Sequence, residues 1–135
     1  MNPMAPAANK IATKTLLSTL WIVVAINMLK ADILSLYIPG SAEEVARTAG
    51  DTPIPLLMLG AAILMQVPTL MVLLSRVLKH GLNRWANIVA SLVTIAFIIG
   101  GAASYPHYLL IATIEVVCLL RIVWLAGMRR SSAAQ

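Results

Sequence analysis

Residues 54–74, IPLLMLGAAILMQVPTLMVLL, run the length of the segment without one Asp, Glu, Lys or Arg. At about 1.5 Å of rise per residue, a helix of that length crosses the roughly 30 Å hydrocarbon core of a bilayer. Similar apolar runs stand on either side, over about 15–38, 85–103 and 107–126. Across the 135 residues 60% are apolar and 11% charged, against about 25% charged in an ordinary soluble domain. So few charges cannot cover a soluble globule of this size. The expected fold is an all-α integral membrane protein, four transmembrane helices in an antiparallel bundle over 15–126. Tails over 1–14 and 127–135 flank it.

The net charge of +5 does not indicate nucleic acid, because the basic residues flank the apolar runs instead of forming a groove-facing patch. Lys10 and Lys14, then Arg76, Lys79 and Arg84, then Arg129 and Arg130 occupy three tracts without an acid, whereas the loop over 41–53 holds Glu43, Glu44 and Asp51 against Arg47. The positive-inside rule then places both termini in the cytoplasm. Gly40-Ser41-Ala42 loosely fits a signal-peptidase site, but the preceding run is longer than the usual 7–15 apolar residues and contains Asn27, Lys30 and Asp32. It reads as a retained first span.

Local signals mark the joints. Pro39-Gly40 stops the first span, and Ser41 ahead of Glu43 and Glu44 predicts a capped helical turn. Pro68 deprives the carbonyl near residue 64 of its helical donor. Gly81 is the expected break in the basic loop, and Trp21 and Trp85 open two span pairs as in a diverged repeat. Ala96, Gly100 and Ser104, four apart, form a small-residue face for close helix packing.

The chemistry-bearing residues are those inside the spans, where a charge costs at least about 2.5–3.5 kcal/mol near the centre. Counting inward from the outer helix ends puts Lys30 and Glu115 both about 12 Å deep, Asp32 about 9 Å and Gln66 about 18 Å. Lys30 and Glu115 are therefore level and able to pair if the first and last spans are neighbours. Asp32 lies about 200° around the helix from Lys30, whereas Asn27 shares a face with Lys30. Asn27, Lys30, Asp32, Gln66 and Glu115 make up the candidate polar cluster. Arg121 is close enough to the cytoplasmic surface to snorkel.

No catalytic set, metal site or cofactor is expected. His80 and His107 fall on opposite sides of the membrane, Cys118 has no cysteine to pair with, and no glycine-rich phosphate loop occurs. The expected partners are the lipid bilayer and either a second copy or another membrane protein.

Residues 20–40, LWIVVAINMLKADILSLYIPG, resemble a family of small four-span bacterial membrane proteins described only as a domain of unknown function. Trp21, Asn27, Asp32-Ile33-Leu34-Ser35-Leu36 and Pro39-Gly40 carry the likeness. The resemblance implies four spans in a bacterial inner membrane and brings no activity. An accessory or self-associating membrane subunit is the leading expectation. A small proton- or ion-coupled transporter using the polar cluster comes next, and a lipid-head-group enzyme last.

Overall fold

The computed structural model describes residues 5–101 and 105–128, with side chains from residue 12 onward. Five helices follow one another: α1 Ala5–Ser35, α2 Ser41–Ala49, α3 Ile54–Val77, α4 His80–Gly100 and α5 Pro106–Met128. All but α2 include a segment long and apolar enough to cross a membrane, in α1 from Ala12 to Ser35. The chain is a multi-pass membrane protein. Arg129, Arg130 and Ser104 lie outside the described residues.

α1 packs against α3 and α5, and α4 packs against the same two. The bundle is thus a square, with α1 and α4 across one diagonal. On α1 the buried residues Leu17, Trp21, Val24 and Met28 recur at spacings of four, three and four, which is one helix face. Met71 of α3, Ala90 and Ile98 of α4, and Leu119 and Ile122 of α5 close around that face.

Trp21 corrects an expectation. It is 0% exposed at the centre of the core, whereas Trp85 is 59% exposed with the Arg84 guanidinium 5.4 Å from its ring. The two tryptophans do different work, so they lend the repeat no support. The Trp21 indole N–H needs an acceptor in a dry interior, and Asn87 Oδ1 accepts it across the diagonal at 2.8 Å.

Asn87 is the hub of a buried network. Its Oδ1 also accepts from Ser75 Oγ at 3.1 Å, and its amide donates to Asn83 O and Asn83 Oδ1, both at 2.7 Å. The Asn83 amide reaches back to Ser75 O at 3.0 Å. Ser18 donates to Val72 O and accepts from Arg76 Nε. Three helices are cross-linked at this basic end, where a polar group without a partner would be costly.

Two joints differ from expectation. α4 starts at His80, and the turn is made by Leu78 and Lys79 in extended geometry (ψ 145° and 154°). Gly81 therefore sits inside the helix, not at the break. Lys14 makes this tight corner tolerable, because its ammonium donates to Arg76 O at 3.1 Å and Leu78 O at 2.8 Å. These carbonyls belong to the end of α3, where helices run out of donors. Lys14→Met keeps the stem and deletes the donors. It is expected to lower stability by about 1 kcal/mol, read by thermal unfolding in detergent. At the other end, the cap of α2 is Gly40 at φ 84°, with no side-chain capping bond from Ser41.

Candidate functional site

α5 buries Ile111, Glu115, Leu119, Ile122 and Ala126. Their spacing of four, four, three and four holds them on one stripe, so the helix phase that fills the core also drives Glu115 inward. Glu115 is 3% exposed, and its Oε1 is buried without a hydrogen-bond partner. The neighbours on this stripe are all apolar.

The carboxyl group borders a small cavity of about 40 Å³ that Asp32 also lines, with Met28 and Ala31 of α1, Met65 of α3, Phe97 and Ile98 of α4, and Tyr108 of α5. Two carboxylates from α1 and α5 therefore share one wall of apolar side chains. Tyr108 does not neutralise them, since its hydroxyl donates to Ile98 O at 3.0 Å. A space of this size exceeds the roughly 10–15 Å³ that one water needs. Of the two, Glu115 is buried, while Asp32 is exposed and lines the cavity from its rim. A buried carboxylate without a partner is costly in a low-dielectric interior.

The expected cluster is only partly assembled. Asp32 and Glu115 meet at the cavity, and Asn27 is buried one turn along α1 from Ala31. Lys30 is exposed and lines no part of the cavity, and no ion pair joins it to Glu115. Depth was matched, but phase was not: Met28, Ala31 and Asp32 share the face turned to the cavity, and Lys30 points away from it. Lys30→Gln is accordingly expected to change unfolding stability by no more than about 0.5 kcal/mol in a thermal scan. Gln66 is likewise exposed, while Met65 beside it lines the cavity.

The described part of the small-residue face, Ala96 and Gly100, does not pack within this chain. Ala96 and Gly100 are exposed and line a wide cleft between α3 and α4. Phe97, Tyr108 and Met28 belong to the carboxylate cavity and carry no sequence signature for it. Only the buried phase of Ile98 and Glu115, visible once the helices are paired, singles them out. His80 is exposed, and His107 stacks on Tyr105 with 5.9 Å between ring centroids. Arg121 lies over Trp124 at 4.3 Å, an exposed cation–π contact on α5.

No curated protein and no solved structure matches the chain. A match to a family of unknown function extends from residue 8 to residue 134, well past the first-span stretch that suggested it. The chain belongs to that family of unknown function, DUF6326.

Proposed function

We propose that this protein handles a proton or a small monovalent cation within the membrane, as a compact ion-coupled transporter whose working group is Glu115 with Asp32 beside it. The observation that carries this reading is the buried Glu115 Oε1, without a partner, on a cavity shared with a second carboxylate. Intramembrane ionisable groups that serve only packing are normally paired, and this one is not. The test is flux. The full chain is reconstituted in vesicles loaded with a pH-sensitive dye, and a pH gradient is imposed with and without Na⁺ or K⁺ outside. Gradient decay that depends on Glu115 supports the reading, and decay unchanged in Glu115→Gln overturns it.

The host membrane in this proposal is a bacterial inner membrane with both chain ends in the cytoplasm. The orientation draws on the charge asymmetry: Lys14, Arg76, Lys79 and Arg84 gather at one end and Glu43, Glu44 and Asp51 at the other. A second reading, an accessory or self-associating subunit, draws on the outward-facing Ala96 and Gly100. Native mass spectrometry of the protein extracted in mild detergent separates the two, since a subunit co-purifies with its partner or a second copy.

A further inference from the structure

We propose that the cleft between α3 and α4 is a binding site for a single-chain cationic amphiphile, an alkylammonium or comparable lipophilic amine. The cleft measures about 870 Å³, inside the roughly 300–1,000 Å³ typical of small-molecule sites. It arises because α3 and α4 are pinned together at the Leu78–Lys79 corner and by the Asn87 network, and among the described residues no side-chain hydrogen bond joins their far ends. The walls are apolar, with Leu57, Ala61 and Leu64 on α3 and Val93, Ala96 and Gly100 on α4. Leu64 lies ten residues below Ile54, so the cleft descends about 15 Å from the α2 end. That depth and lining suit a hydrocarbon tail.

The mouth selects the head group. Glu44 of α2 is the one charged residue among those lining the cleft, with the hydroxyls of Ser41 and Thr48 beside it. All five carboxylates of the chain (Asp32, Glu43, Glu44, Asp51 and Glu115) belong to this half of the bundle. The cations of this half, Lys30 and Arg47, do not line the cleft. The site therefore offers negative charge and acceptors, which favour an ammonium and disfavour a phosphate or sulfate head group. Ala61, Ala96 and Gly100 keep the space open, and a Cβ built on Gly100 meets nothing within 4 Å.

This site is separate from the carboxylate cavity, with Phe97 as the common wall. Its test does not depend on proton flux. The full chain in nanodiscs is titrated with radiolabelled dodecyltrimethylammonium, with empty nanodiscs as background and dodecyl sulfate as competitor. Expected are saturable binding near one per chain, no competition by dodecyl sulfate, and affinity about tenfold weaker in Gly100→Leu and in Ala96→Phe, equivalent to about 1.4 kcal/mol. Glu44→Gln is expected to weaken it severalfold, and Glu115→Gln to leave it unchanged. Equal binding of the sulfate, binding indifferent to the two filling variants, or a second copy occupying the cleft by native mass spectrometry each overturns the proposal. The sulfate comparison uses the unsubstituted chain, so it decides even if a filling variant fails to fold.

Discussion

Glu115→Gln is expected to cut gradient-driven flux about a hundredfold, the scale on which losing a positioned proton-transfer group is felt. The same substitution is expected to leave unfolding stability unchanged or higher. Glutamine matches the volume of glutamate and removes a charge whose Oε1 has no partner at 3% exposure. Neutralising such a group lifts a burial cost of at least about 2.5 kcal/mol where the bilayer is driest. Were Glu115 one half of a structural ion pair, the result would be reversed: stability would fall by about 3–5 kcal/mol, because the orphaned cation would stay buried. Flux and stability moving in opposite directions is thus the signature that separates a working carboxylate from a structural one. Thermal unfolding of the same preparations supplies the second axis.

Trp21→Ala is expected to destabilise the bundle by about 3 kcal/mol. In a bilayer the unfolded helix is already solvated by apolar chains, so little of the usual transfer gain is at stake. What remains is the void: on the order of 100 Å³ at about 24 cal/mol per Å³ gives about 2.4 kcal/mol, with the lost hydrogen bond adding about 0.6 kcal/mol. Trp21 fills the position where Leu17, Val24 and Met28 meet the other helices. Trp21→Phe removes the donor and less volume, and is expected to cost about 1 kcal/mol. Combining it with Asn87→Ala in a double-mutant cycle isolates the 2.8 Å bond across the diagonal. A coupling below about 0.3 kcal/mol, the level at which independent sites add, would mean that Trp21 acts by bulk alone.

Both expected results concern residues that the linear pattern displays unequally. Glu115 stands out in any reading of the chain, because an acid in an apolar run of this length demands an account. Asn83 and Asn87 did not stand out, although Asn83, Asn87, Ala90, Ser91, Thr94 and Ile98 share one face of α4. Polar residues at a four-residue spacing near a basic loop look like a solvated helix start. In fact they are the inward face, because α4 begins at His80 and carries them into the bundle.

Apolar runs, their lengths and the charges between them are properties of the chain itself, and they determined four membrane-crossing helices with carboxylates gathered toward one end. Burial in a bilayer needs only local composition and length, which is why these features were legible without coordinates. Partnership is a different matter, because two groups meet only when depth, helix phase and neighbour order all agree. Tertiary packing alone set α1 beside α5 and put Asp32 and Glu115 on the lining of one cavity, with Lys30 outside it. It also placed Trp21 against Asn87 across the diagonal and left Ala96 and Gly100 facing an open cleft. A rotation of about 100° per residue puts residues two apart on nearly opposite sides of a helix, and only the packed bundle shows which side is occupied.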